Sequence, residues 1–120
     1  KKRINSLMKN KILSLSKDED FKSILNGKKY SNKYLTIFFK NIPGKSNKKL
    51  NISFVTKKKI GNSVKRNKIK RRLRNIMNDA LKNLSINLNY SYLFIAKKSL
   101  LEEKYEKIKE TLFIELNKIK

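Results

Sequence analysis

The sequence has no cysteine, no histidine and no tryptophan, and only one proline and three glycines. Without cysteine, the chain can form no disulfide, thiol nucleophile or cysteine-ligated metal site. Without histidine, the Ser-His-Asp triad, imidazole acid–base catalysis and histidine-bound zinc are excluded as well. A chain that does not depend on disulfides suits a reducing compartment, and we expect it in the cytoplasm.

Acidic residues are also scarce: nine aspartates and glutamates stand against 32 lysines and arginines. Most lie in residues 18–20 and 102–115, and none lies between Asp20 and Asp79. The first cluster lies where the N-terminus of a helix favours negative charge, and the second is spaced for the exposed side of a helix. Neither has the arrangement of a paired-carboxylate active site, so we predict no catalytic residue in this chain.

The composition favours a polyanionic partner. A length of 120 residues fits one domain. At a net charge of +23, the positive side chains would repel one another and destabilise the fold unless a polyanion neutralised them. No apolar run is long enough to span a bilayer, and residues 1–16 lack the apolar core of a signal peptide. Nucleic acid is therefore a stronger candidate than a membrane surface.

Residues 57–74 read KKKIGNSVKRNKIKRRLR, and ten of these eighteen are lysine or arginine. From Leu73 to Leu84, apolar residues recur at the spacing of one helix face, which predicts a helix over residues 63–84 with Asn62 as its N-cap. The cations Lys68, Arg71 and Arg72 project away from that face. Runs of charged residues usually form solvent-exposed helix faces, but such faces carry both signs of charge, whereas this segment carries only positive charge. We therefore predict a helix that docks by its rear half and presents a cationic front half to phosphates.

The remaining pattern predicts one α+β domain. A capping box at Ser16 and Glu19 and a stop at Gly27 bound a first helix. Period-two alternation and apolar runs indicate three strands, the first two paired in a hairpin. The expected elements are helix 17–26, strands 34–39 and 50–56, the basic helix, strand 92–96 and helix 101–118. Residues 1–12 are expected to form a basic arm, and residues 13–120 the domain.

The alternation also separates two sheet faces. Leu35, Ile37 and Phe39, with Leu50, Ile52 and Phe54, are expected to face the last two helices. Asn51 and Ser53 are expected to point outward. Thr36, Phe38, Ser53 and Val55 would form the other face beside the first helix. Aromatic rings beside a basic rim suit single-stranded RNA, but Phe21 and Phe38 could equally be packing against each other.

Residues 58–74 closely resemble the signature of the bacterial ribonuclease P protein subunit, a KK-x-G-N-A-V-x-R-N-R-x-K-R-x-x-R pattern. Leu15, residues 19–21 and Gly27 resemble the opening of that family, and residues 92–97 resemble its apolar strand. The resemblance covers about residues 15–119. It implies a two-layer α–β sandwich like domain 2 of ribosomal protein S5, with a mixed sheet and a left-handed β-α-β crossover. General rules would have favoured a right-handed one.

The resemblance also implies the function. In the family, the RNA subunit cleaves the 5′ leader from precursor tRNA with Mg²⁺, and the protein assists by binding both RNAs. We expect one protein per RNA. The basic helix would contact the catalytic RNA through Lys58, Lys59, Asn62, Lys65, Arg66, Asn67, Lys68, Lys70, Arg71 and Arg74. A cleft between the first helix and the sheet would bind the leader through Phe21, Leu25, Phe38, Ser53 and Val55.

Three positions depart from the family pattern. Lys68 and Lys97 stand where arginine is usual, which keeps the charge but loses the planar fork. Leu25 replaces an aromatic residue of the leader cleft.

Two other functions were considered. A structural protein of the ribosome would have a similar size and charge, and this is the alternative function. A protein-only nuclease is disfavoured, because two-metal cleavage needs converging carboxylates.

Overall fold

The computed structural model describes residues 12–15, 17–45 and 47–119. These ranges contain five strands, four α-helices and one 3-10 turn at Lys58–Ile60. In chain order the elements are β1 (Ile12–Ser14), α1 (Asp18–Leu25), β2 (Lys28–Ser31), β3 (Leu35–Lys40), β4 (Leu50–Val55), α2 (Ser63–Asn83), β5 (Ser91–Ala96), α3 (Ser99–Glu102) and α4 (Tyr105–Lys118). None of the helices in these ranges is long and apolar enough to cross a lipid bilayer.

The five strands form one mixed sheet in the order β1-β4-β5-β3-β2. The β1–β4 and β4–β5 pairs are parallel, and the β5–β3 and β3–β2 pairs are antiparallel. The predicted hairpin of β3 and β4 is therefore wrong, because β5 lies between these strands. Residues 41–49, which connect them, form a longer link than the two to five residues of most hairpin loops.

The main core lies between one face of the sheet and the helices α2 and α4, as predicted. From the sheet, the expected apolar positions of β3 and β4 are buried together with Tyr92 and Phe94. The helices contribute the buried residues Ile69, Leu73, Ile76, Met77 and Ala80 from α2 and Ile108, Leu112 and Leu116 from α4. The apolar periodicity of both helices is thus explained by one shared packing surface.

Helix α1 packs on the opposite face of the sheet. Leu15, Ile24 and Leu93 are buried there, and Phe21 and Phe38 pack around them half-buried. The helix ends at the predicted Gly27, where the chain passes very close to β3. A Cβ at this position would lie 2.6 Å from the carbonyl oxygen of Phe39, so only glycine fits without a shift. The predicted cap Ser16 lies outside the described residues.

Both edge strands were missed. Ile12, assigned to the basic arm, begins β1 and pairs with Leu50, whereas residues 1–11 lie outside the described part. Strand β2 is only four residues long, and all four are exposed. Short edge strands carry little periodicity, so their pairing is decided by the neighbouring strand rather than by their own sequence.

One residue of β4 also differs from the prediction. Asn51 was expected to point outward, but it is buried.

The last predicted helix is broken in two at residues 103–104. Glu103 has an extended backbone, with ψ at 155°. Its carbonyl oxygen accepts a hydrogen bond from Arg72 Nη1 at 3.1 Å, and its carboxylate accepts one from Tyr34 Oη at 2.6 Å. These tertiary bonds hold the break, which the helical spacing from Leu101 onward could not reveal.

Candidate RNA interface

Helix α2 begins where the sequence predicted. The side chain of Asn62 accepts a hydrogen bond from the backbone N–H of Lys65 at 3.0 Å, which satisfies one of the free donors of the first turn. The rear half is anchored by the buried residues from Ile69 to Ala80. The predicted division into a docked rear half and a cationic front half is therefore too sharp, because Ile69 and Leu73 are buried within the cationic segment itself.

The predicted RNA-contacting residues lie on the surface. Nine are exposed and Arg66 is half-buried; the nine are Lys58, Lys59, Asn62, Lys65, Asn67, Lys68, Lys70, Arg71 and Arg74. The ion pairs of the described residues include Lys45–Asp20, Lys109–Asp79 and Lys118–Glu115, and none of these three uses a cation of residues 57–74. The positive charge of this surface is thus not neutralised within the described fold.

Three arginines of α2 differ in what they contact. Arg66 donates from Nε to the carbonyl oxygen of Gly61 at 3.2 Å, which orients its guanidinium. Arg74 lies with its guanidinium carbon 6.0 Å from the centre of the Phe54 ring. Arg72 was predicted to project with Lys68 and Arg71, but it is half-buried and bonds to the α3–α4 junction. Arg72 therefore belongs to the scaffold rather than to the cationic front.

Two side chains at the junction that holds Arg72 have shifted pKa values. The hydrogen bond to Glu103, followed by burial, raises the pKa of Tyr34 to about 12. The same hydrogen bond, followed by one from the backbone of Lys104, lowers the pKa of the Glu103 carboxyl. Both directions are expected when a phenol donates to a carboxylate, since the bond stabilises the protonated phenol and the ionised acid.

The second predicted region is the sheet face that carries α1. Strand register aligns its side chains in two rows across the sheet. The first row is Lys29, Phe38, Leu93 and Ser53, and the second row is Ser31, Thr36, Ile95 and Val55. Leu93 is buried beneath α1, whereas the second row is half-buried or exposed. The face thus offers a partly open surface beside α1.

The residues predicted to bind the leader have different environments. Phe21, Phe38, Ser53 and Val55 are all half-buried, and the first two pack around the buried residues of this face. Leu25, on α1, has 47% of its surface exposed. Phe21 and Phe38 therefore contribute to packing and still leave part of each ring accessible, so the structure is compatible with both interpretations.

An open pocket of about 550 Å³ lies between this face and the 3-10 turn that precedes α2. It opens where the parallel strands β4 and β5 end. Apolar side chains and lysines share its lining, which consists of Thr36, Lys57, Lys59, Ile60, Ile95, Ala96, Lys97 and Lys98. Lys98 belongs to it although no sequence pattern had pointed to this residue. The pocket thus brings Lys59, a predicted RNA-contacting residue, close to Thr36 and Ile95 of the second row, whereas none of the predicted leader-binding residues lines it.

The described residues include no group of three acidic, cysteine or histidine side chains placed to hold a metal ion. Asp20 is the buried carboxylate of α1, and its Oδ2 lies 2.6 Å from Nζ of Lys45. That lysine supplies the counter-charge that a buried carboxylate needs. The side chains present do not fit a magnesium site of their own in this part of the chain.

Comparisons with known proteins identify the family. The family model described as Ribonuclease P matches residues 8–120. The ribonuclease P protein component of Mycoplasma mycoides subsp. mycoides is 32% identical over 113 residues, which is 94% of this chain and 100% of that protein. That of Carboxydothermus hydrogenoformans is 32% identical over 107 residues, covering 86% of this chain and 87% of the relative.

Solved structures agree with the observed architecture. The ribonuclease P protein of Thermotoga maritima superposes with a TM-score of 0.75 at 24% identity, over 90% of this chain and 98% of that one. The Staphylococcus aureus protein gives a TM-score of 0.70 at 25% identity, over 88% and 93%. The α+β fold with its mixed sheet is thus shared with these proteins, and the chain belongs to the ribonuclease P protein family.

Proposed function

We propose that the chain binds the catalytic RNA of ribonuclease P through the front half of α2 and the 5′ leader of precursor tRNA on the sheet face beside α1. In this way it assists removal of the leader. The observation that carries the proposal is the unneutralised cationic surface of residues 57–74, held on a buried helical anchor. Cations fixed on a rigid element lose little freedom when they bind phosphates.

The two kinds of cation have different uses on this surface. Arg66 and Arg71 provide planar forks that can bind a phosphate in bidentate fashion, whereas lysines act as point charges. The bond from Arg66 to Gly61 uses only Nε, so the two terminal nitrogens of its guanidinium are available for RNA. Arg72 makes no such contribution in the proposal, because its guanidinium bonds to Glu103.

The sheet face supplies the second contact. A single strand can stack its bases on the accessible parts of Phe21 and Phe38 and lay its backbone along the pocket lysines. Ser53 lies in the first row and Val55 in the second row of the same sheet face. The pocket lies between the second row and the turn that precedes α2, so one RNA-bound protein can hold the leader next to the catalytic RNA.

Cleavage itself is assigned to the RNA subunit. The described residues offer no cluster of acidic side chains for a metal, so the proposal leaves Mg²⁺ with the RNA. When bound there, Mg²⁺ would activate the attacking water and stabilise the charge of the leaving oxygen. The protein's part is to raise affinity for substrate that still carries its leader and to lower repulsion between the two RNAs.

Reconstitution tests this proposal. Purified protein, a transcribed bacterial ribonuclease P RNA and a precursor tRNA are combined with Mg²⁺, and leader release is measured with each component omitted in turn. We expect faster release by RNA plus protein than by RNA alone at moderate salt, and none by protein alone. Cleavage by the protein alone, or no binding to the ribonuclease P RNA at low salt, would overturn the proposal. Preferential copurification of ribosomal RNA from cells would favour a ribosomal role instead.

A further inference from the structure

Strand β2 places one lysine beside the aromatic residue of the first row. Lys29 pairs with Phe38 in the antiparallel register of β2 and β3, so both side chains point to the face that carries α1. Its neighbour Lys28 pairs with Phe39 and therefore points to the opposite face. Both lysines are exposed.

Lys29 is in contact with the ring of Phe38. Its Nζ lies 5.8 Å from the ring centre, which is a cation–π distance. In an exposed position such a contact is weak, so the ammonium group can readily exchange the ring for a stronger anionic partner. The contact therefore holds the ammonium group of Lys29 next to the ring and leaves it able to bind an anion.

The backbone that carries Lys29 is well fixed despite lying at the sheet edge. Lys97 Nζ donates to Ser31 Oγ at 2.9 Å and to the carbonyl oxygen of Asn32 at 2.6 Å. The Asn32 side chain accepts from the backbone N–H groups of Tyr34 and Leu35 at 2.8 and 3.0 Å. These bonds hold the β2–β3 turn, so the position of Lys29 relative to Phe38 is set by the fold.

We propose that Lys29 is a further leader-binding residue and that it binds a backbone phosphate of the single strand at Phe38. The inference rests on the proposed function of the sheet face. Each nucleotide carries a base and a phosphate side by side, and the first row offers a ring and a cation in the same relation. A polyanion is the partner that matches this pair, because the ring accepts any base and the ammonium accepts any phosphate.

The test uses Lys29→Gln and, as a matched control, Lys28→Gln, which removes the same charge from the preceding residue of the same strand. Each variant is assembled with a transcribed ribonuclease P RNA. The affinities for leader-bearing precursor tRNA and for mature tRNA are then measured over a range of salt concentrations. Lys29→Arg serves as the conservative variant that restores the charge. Unfolding of each variant alone checks that the fold is intact.

We expect Lys29→Gln to weaken binding of the leader-bearing substrate several-fold, to leave mature tRNA unaffected, and to reduce the log–log salt slope by about 0.7 for one single-strand phosphate contact. Lys28→Gln should leave both affinities unchanged, and Lys29→Arg should restore wild-type affinity. Equal effects of Lys28→Gln and Lys29→Gln, or equal losses for both RNAs, would overturn the inference alone. If the wild-type assembly did not prefer leader-bearing substrate, the proposed function of the sheet face would fail, and the inference would fail with it.

Discussion

Helices α2 and α4 cover the same face of the sheet but present different surfaces outward. The exposed front of α2 carries only positive charge, from Lys65 to Arg74. The exposed side of α4 alternates signs, with Glu106, Lys107 and Glu110 in succession, and Lys118 lies 3.8 Å from Glu115. Both helices bury apolar residues at the same spacing, so packing explains their similarity and not their difference.

The charges on the two helix surfaces have different explanations, one in the stability of the fold and the other in binding. A helix that needs only to cover a core gains by mixing charges, since opposite signs on neighbouring turns attract. A helix that keeps one sign at its surface gives up that stabilisation and gains affinity for an anion. The charge of α2 is thus better explained by a partner than by the stability of the fold.

The largest expected effect comes from reversing charge on the front of α2. Arg66→Glu combined with Arg71→Glu should weaken binding to ribonuclease P RNA about 100-fold or more, because two attractive interactions with phosphates become repulsive. The log–log salt slope should fall by about 0.9 for each duplex phosphate that the variant no longer binds. The matched control is Lys107→Glu with Lys118→Glu on α4, which changes the net charge equally. Similar losses of affinity in both double variants would show that overall charge, and not α2, determines binding.

The next effect concerns the aromatic residue of the first row. Phe38→Ala should weaken binding of leader-bearing substrate by about 1–3 kcal/mol if a base stacks on the ring, with mature tRNA unaffected. Because Phe38 is half-buried, the variant will also lose stability. Phe113→Ala, at a half-buried position against the main core, controls for that loss. If both variants weakened the two RNAs alike, Phe38 would be a packing residue only.

The start of each helix gives a smaller contrast. Asn62 caps α2 with its side chain, whereas Lys104 at the start of α4 makes no such bond. Asn62→Ala should therefore lower the free energy of unfolding by about 0.5–2 kcal/mol, measured with denaturant in the absence of RNA. Lys104→Ala should leave it nearly unchanged. An equal loss in both variants would mean that the Asn62 bond does not stabilise α2.

The smallest effect tests the junction where α2 meets the chain that leads into α4. The hydrogen bond from Tyr34 lowers the pKa of Glu103 below its ordinary value of 4.5. The bond therefore stabilises the fold fully at pH values above 4.5, and this stabilisation is lost as the pH falls through the lowered pKa. Tyr34→Phe should raise the Glu103 pKa toward 4.5 and flatten the acid side of the stability curve. Carboxyl-carbon NMR titration and unfolding across this range measure the two changes. An unchanged Glu103 pKa would show that the Tyr34 bond does not stabilise the ionised carboxylate.

Local pattern was enough to predict what depends on one segment alone. The anchor of α2 around Leu73, its cap at Asn62 and the inward side of β3 were predicted because each follows from spacing within a few turns or residues. The exposed cations of the front half followed from the same helical projection. The predicted left-handed crossover between β4 and β5 stays a prediction.

What could not be predicted depends on contacts between distant segments. The insertion of β5 between β3 and β4 is a matter of strand pairing, which period-two alternation does not encode. The break at Glu103 depends on Tyr34, 69 residues away, and the same junction withdraws Arg72 from the cationic front. Lys29 could be placed beside Phe38 only once the register of β2 was known. Each miss arises from a tertiary contact that overrides or adds to the local signal.

The most direct test of the cationic front of α2 as the RNA-binding surface exploits the absence of cysteine. Single cysteines at exposed positions, Ser63→Cys on α2 and Glu110→Cys on α4, would each carry an iron chelate that releases hydroxyl radicals after assembly with ribonuclease P RNA. We predict strong, localised RNA cleavage from position 63 and little from position 110. Strong cleavage from position 110 with none from position 63 would contradict the assignment of α2 as the RNA-binding helix.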